Sequence, residues 1–199
     1  MTPDIVLASK SPRRIQMFKE QRIPVRVIPA DIVETRLPEE SPVDFVRRLC
    51  GEKAMKVASD LSRKGETPFV VAADTIVVLG NEILGKPSDR ASARDMLKRL
   101  SGNTHIVITG WTIGKIGEPW TVSHSETRVT FHRLDDKDIN AYLATGDADD
   151  KAGAYAIQAL GAFLIREIAG DFYNVVGLPI SNVVRALIDR GALKGFLQT

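Results

Sequence analysis

Cysteine is almost missing from this chain: Cys50 is the single one in 199 residues. A lone thiol closes no internal bridge, which excludes the disulfide frameworks of small secreted domains and points to a reducing compartment. Long apolar runs are missing too. No stretch approaches the ~20 apolar residues of a membrane span, and the N-terminal charges enclose only a short apolar run. The expected location is cytoplasmic, with no membrane partner. Neither sign of charge dominates, since 27 Lys and Arg are set against 25 Asp and Glu and the basic residues are spread along the sequence. A nucleic acid duplex is therefore not an expected partner, while a small anionic ligand stays open. There is no internal repeat, low-complexity tract or Gly/Ser linker. The three histidines lack helical metal spacing, and no G-x-S-x-G, H-E-x-x-H or C-x-x-C motif occurs.

What is present suits an ordinary folded chain, with 44% hydrophobic and 26% charged residues. Residues 1–199 are expected to form a single domain, large enough to bury about 70% of their unfolded surface without disulfides or structural metal. The periodicities predict an α/β (mixed α+β) arrangement. Strands are expected at Ile5–Ala8, Val25–Ile28, Phe69–Leu79, His105–Ile116, Thr121–Leu134 and Phe163–Ile168. Helices are expected from the Ser11-Pro12 start, from Ser41-Pro42 to about Leu61, at Ser88–Leu100, at Asp135–Ala144 and at Pro179–Arg190. Adjacent hairpin strands argue for a mixed sheet.

Three patterns carry chemistry. In Ser9-Lys10-Ser11-Pro12-Arg13-Arg14, three cationic side chains crowd a helix start whose dipole already opposes them. A phosphate would balance them, and a solvated Ser-Pro-capped helix is the plainer reading. Lys53 falls on the apolar face of its helix, between Leu49 and Val57, where it either snorkels outward or reaches an anion. Asp74, with Thr75, interrupts the apolar run Phe69–Leu79. A carboxylate buried there needs a metal, a lysine or other donors, unless it closes a turn between two short strands.

Gly80-Asn81-Glu82-Ile83-Leu84-Gly85-Lys86-Pro87 has phosphate-loop spacing up to the lysine and then fails. Pro87 supplies neither hydroxyl nor backbone donor, so a P-loop is rejected. Lys86 is read either as a solvated loop lysine or as an ammonium directed to the same site as Asp74. Cys50, mid-helix among apolar neighbours, reads as a buried small side chain, and Trp111 and Trp120 read as packing residues.

Ser-x-Ser-Pro-Arg-Arg, Ala-Asp-Thr, Gly-Lys-Pro, Ser-Gly-x-Thr-His, Lys-Ala-Gly-Ala-Tyr-x-Ile-Gln and Asn-Val-Val-Gly-Leu-Pro together resemble the Maf-like nucleotide pyrophosphatases, in order and over nearly the whole chain. The resemblance implies an elongated, mixed twisted sheet flanked by helices, two lobes with a central cleft, and kinship with the inosine triphosphate pyrophosphatase fold. It implies hydrolysis of a nucleoside triphosphate to the monophosphate and pyrophosphate with a divalent metal cation, Mg2+ or Mn2+. Asp74 takes the general-base position. Arg13, Thr75 and Gln158 fall on the positions that distinguish branches and resemble the dTTP/UTP branch rather than the 7-methyl-GTP branch.

On that reading Glu34 and Asp74 are the metal ligands. Lys53 and Lys86 join Asp74 in catalysis, and Ser9, Arg13, Arg14, Thr75 and Gln158 contact substrate. The alternative to an enzyme is a non-catalytic nucleotide-binding regulator of septum formation. A homodimer stays open. The chain departs from the family pattern at Val33, where a second Asp is usual, at Asp147-Ala148 in place of Glu-Pro, and at Ala156 and Ala159, which replace glycines flanking Gln158.

Overall fold

The computed structural model describes residues 4–194. Among these described residues seven strands form one mixed sheet. The chain runs through β1 (Ile5–Leu7), α1 (Pro12–Glu20), β2 (Arg26–Val27), α2 (Pro42–Ser62), β3 (Phe69–Leu79) and β4 (Glu82–Leu84). It continues through α3 (Arg90–Leu100), β5 (Thr104–Gly114), β6 (Thr121–Phe131), α4 (Asp136–Ala144), β7 (Ile165–Ala169), α5 (Phe172–Val176) and α6 (Ile180–Asp189). The sheet order is β2-β1-β3-β5-β6-β7, with β4 on β3. β1 is parallel to β2 and β3, whereas β4 is antiparallel to β3 and β7 antiparallel to β6. This is the mixed sheet expected from the hairpin pattern.

Two compact units divide the residues. One holds the chain up to Asp74, Thr109–Ser125 and the stretch from Gly177 on; the other holds Thr75–Ile108 and Glu126–Val176. β3, β5 and β6 each contribute residues to both.

In the first unit, period-two alternation places Val6 and Ala8, and Val70 and Ala72, on one sheet face. The helical spacing of Ala54, Val57, Ala58 and Leu61 gives α2 the stripe that covers them. Each fully buried Val or Leu contributes about 1.5–3 kcal/mol. Ser41 starts α2 as expected, its hydroxyl accepting from Asp44 N at 3.1 Å, with Pro42 in the first turn. The backbone of α2 also lies close to β5. A Cβ at Gly110 would come within 2.4 Å of the Val46 carbonyl oxygen.

The second unit is built around fully buried Tyr142, Phe131, Leu97 and Leu100. Asp135 starts α4 with a capping box, and Asp89 starts α3 by accepting from Ser92 N at 2.7 Å. Here the expected Phe163–Ile168 strand is corrected. Only Ile165–Ala169 pairs with β6, and Ala159–Leu164 winds as 3-10 helix. Gly161 allows the tight winding, since a Cβ there would meet the Ala156 carbonyl oxygen at 1.8 Å. The short α5 was not expected. Its Asn174 is buried and donates to Val107 O and Thr127 Oγ1, both at 3.0 Å, and Thr127 is bonded in turn to the Asp171 backbone.

His105 on β5 is buried and pairs through Nε2 with the Tyr155 hydroxyl at 2.7 Å. Burial pulls its pKa down to about 4. The unfolded chain then binds the extra proton between pH ~6.5 and about 4, so stability is full above that window and falls as pH drops through it. Urea unfolding at pH 7 and pH 5 should show this loss, with a slope below ~1.4 kcal/mol per pH unit, and His105→Gln should flatten it. Gly110→Ala should lower the unfolding free energy by about 2 kcal/mol, because the added methyl meets α2 backbone that has no rotamer to yield. An unchanged urea midpoint would contradict that packing.

Candidate active site

The apolar face that anchors α2 on β3 ends in charge. Beyond Val70 and Ala72 the next residue on that face is Asp74, and one turn before Val57 on the α2 stripe stands Lys53. Sheet and helix thus bring the two together. Lys53 Nζ donates to Asp74 Oδ1 at 2.5 Å, with the residues 9% and 8% exposed. β3 runs unbroken through this point, so Asp74 does not close a turn between short strands. Lys53 does not snorkel to solvent.

A second carboxylate reaches the same ammonium. Glu34 Oε1 lies 2.7 Å from Lys53 Nζ, and its side chain is half exposed. Glu34 sits in the long irregular segment before α2, which Arg48 of α2 secures one residue away by donating to Thr35 O at 3.0 Å. Arg48 also grips Glu40 at 2.7 and 2.8 Å, and this hydrogen bonding holds the Glu40 carboxyl down to about 2. The neighbouring Val33 is 80% exposed.

The β1–α1 connection supplies the cationic side. Ser9 is buried, and its hydroxyl oxygen accepts from Ser11 N at 3.1 Å and lies 3.5 Å from Arg14 Nη1. Ser11 stands at the helix start as expected, but its side chain makes no capping bond. Arg14 spends donors on backbone: Nε to Gly177 O and Nη1 to Ala73 O, both at 2.7 Å. Burial pulls the Arg14 pKa below its ordinary value, and the charge of Asp74 opposes that shift. Arg14 thus fastens the carbonyl immediately before Asp74. Sequence reading missed this latch, although Gly177 lies in the quoted Asn-Val-Val-Gly-Leu-Pro motif. Arg13, next to it, is half-buried, and Lys10 is an exposed partner of Asp31 at 3.7 Å.

Cys50 lies one turn before Lys53 on α2, and burial, reinforced by the Asp74 charge, pushes its thiol up to about 12. It is no nucleophile. Thr75, Lys86 and Gln158 belong to the second unit. Thr75 follows Asp74 on β3 and is half-buried. Lys86 is exposed two residues past Leu84, the partner of Val77 on β3. Gln158 is exposed at the start of the 3-10 turn, and the Ala159 that follows has φ of 52°, in the left-handed region that favours glycine.

The donor set of Glu34 and Asp74 suits a hard divalent cation. Magnesium-type sites commonly take one or two carboxylates and complete their shell with water and substrate phosphates. Two carboxylate oxygens already converge on the Lys53 cation, while no group of three or more His, Cys, Asp or Glu capable of holding a metal occurs among the described residues.

Comparison with known proteins agrees with the motifs. A dTTP/UTP pyrophosphatase from Caldanaerobacter subterraneus subsp. tengcongensis is 46% identical over 90% of this chain and 85% of its own length. A dTTP/UTP pyrophosphatase from Geobacter sp. (strain M21) is 48% identical over 95% and 96%. One from Clostridioides difficile is 46% identical over 90% and 91%. Among solved structures, a HAM1 protein from Coxiella burnetii superposes with a TM-score of 0.54 at 14% identity, covering 94% of this chain and 98% of that one. The expected kinship with the Ham1, or inosine triphosphate pyrophosphatase-like, fold is thereby borne out at the level of architecture. No helix among the described residues is long and apolar enough to cross a membrane. The Maf-like protein profile matches residues 4–190, and the chain belongs to that family.

Proposed function

We propose that the protein is a metal-dependent nucleoside triphosphate pyrophosphatase that converts dTTP and UTP to the monophosphate and pyrophosphate. The observation that carries this reading is the buried Asp74–Lys53 pair with Glu34 closing on the same ammonium. The names of the relatives support it.

Glu34 and Asp74 are the residues that would hold Mg2+ or Mn2+, which when bound supplies charge neutralisation to the triphosphate. The remaining work belongs to side chains of this protein. Asp74 orients a water and takes its proton as the oxygen attacks the α-phosphorus in line. One P–O bond forms, the α–β bridging bond breaks, and pyrophosphate leaves. Lys53 fixes the Asp74 carboxylate and, with Arg13, balances phosphate charge, and Lys86 keeps the catalytic part implied by the family resemblance. Ser9 and its backbone neighbours offer donors to phosphate oxygens. Arg14 acts by holding the backbone before Asp74, and Thr75 keeps the substrate contact implied by the family resemblance. Gln158 presents one donor and one acceptor, the complement of the imide edge shared by uracil and thymine. Positioning and charge neutralisation supply most of the rate.

Assays of purified protein with UTP, dTTP, 7-methyl-GTP and the other triphosphates should show UTP and dTTP leading and pyrophosphate released. Chelation should abolish turnover. A leading rate with 7-methyl-GTP would reject the specificity, and nucleotide binding without turnover would favour the regulator instead. Asp74→Asn should remove turnover and keep the fold, as judged by product analysis and circular dichroism; an active variant would remove Asp74 from the base role. Lys53→Met should cost about 3–5 kcal/mol in urea unfolding, because it leaves Asp74 buried without its cation. Adding Asp74→Asn to Lys53→Met should recover most of that loss, and equal instability of the double variant would contradict the pairing.

A further inference from the structure

Around Gln158, an exposed side chain stands on a segment secured from beneath. Ala156 N donates to the Tyr142 hydroxyl of α4 at 2.9 Å in a buried position. The Tyr155 hydroxyl meets His105 Nε2 of β5 at 2.7 Å, also buried. His105, Phe131 and Tyr155 pack edge to face in pairs, with centroids between 4.9 and 5.3 Å. Gly161 folds against the Ala156 carbonyl so closely that any side chain is excluded.

Within this frame Ala154 and Ala159 hold φ of 58° and 52°. Alanine keeps such a conformation only where surrounding contacts over-determine it. Backbone strain and two buried hydroxyl bonds therefore converge on the residues flanking Gln158. The rings of Tyr142 and Tyr155 fill space that phenylalanine would fill equally well. Their hydroxyls do something separate.

We propose that Tyr142 and Tyr155 are positioning residues for Gln158, their hydroxyls holding the 154–161 segment in its strained form so that the exposed amide meets the pyrimidine edge of the nucleotide in one orientation. This rests on the assignment of Gln158 to the base. A side chain on a loosened segment still folds and still binds phosphate through other residues, but it loses selection between bases, because a displacement on the order of 1 Å suffices to misalign hydrogen bonds.

The test is steady-state kinetics with UTP and GTP on Tyr142→Phe, Tyr155→Phe and Gln158→Ala in the 199-residue chain supplied with metal. Each Tyr→Phe variant should raise KM for UTP about five- to tenfold, leave kcat within about twofold, and lower the UTP-to-GTP ratio of kcat/KM by a similar factor. KM and that ratio do not depend on the fraction of enzyme folded, so partial instability leaves the result readable. Tyr142 lies on α4 and Tyr155 in the 154–161 segment itself, so either variant carries the test if the other fails to fold. Wild-type KM and ratio in the folded Tyr→Phe variants, with selection lost in Gln158→Ala, overturn the positioning role alone. Wild-type selection in Gln158→Ala overturns the base assignment and the positioning role with it.

Discussion

A carboxylate inside an apolar strand is the constraint from which the rest of this structure follows. Asp74 occupies the middle of β3, where its neighbours on the same face are Val70 and Ala72. An ionised group there is tolerable only beside a cation, and α2 supplies one by breaking its own apolar stripe at Lys53. The break fixes the register between helix and strand. Sliding α2 by one turn would leave both charges against hydrocarbon, so the polar pair specifies what apolar packing alone leaves loose. Arg14 adds a second restraint by binding the carbonyl of Ala73, so side chain and backbone are held at adjacent positions.

Much of this was readable from residue types. The broken apolar run marked Asp74, the helical wheel marked Lys53, and Ser41-Pro42 marked the start of α2 within one residue of where it begins. These signals are local, set by periods of 2 and 3.6 and by capping chemistry. What escaped was non-local. The acceptors of Arg14 lie 59 and 163 residues away, and no local pattern announces them. The 3-10 turn at Ala159–Leu164 escaped for a different reason. Phe163 and Leu164 read as the start of the strand that follows them, and the winding depends on the contact of Gly161 with the Ala156 carbonyl. Ala159 in the left-handed region runs against residue preference altogether, and departure from the rule is itself the signal that tertiary contacts decide the conformation.

Stability alone does not account for the Glu34–Lys53–Asp74 cluster. A buried ion pair recovers its desolvation cost only in part, and well-packed apolar residues of the same volume commonly serve a fold as well or better. The apolar stripe of α2 would be continuous with a leucine at position 53, and β3 would lose its interruption with a valine at 74. Glu34 sharpens the point, because it comes from a loop, is half exposed, and adds negative charge to an ammonium already paired with Asp74. Two carboxylates share one lysine, and the buried Arg14 guanidinium feels the charge of both. Bringing four charged groups together is a cost to a resting fold, and under the proposed function it is an asset to a site that handles a polyanion. The arrangement is intelligible as chemistry held in readiness by packing, with α2 and β3 as the rigid elements that keep it in place.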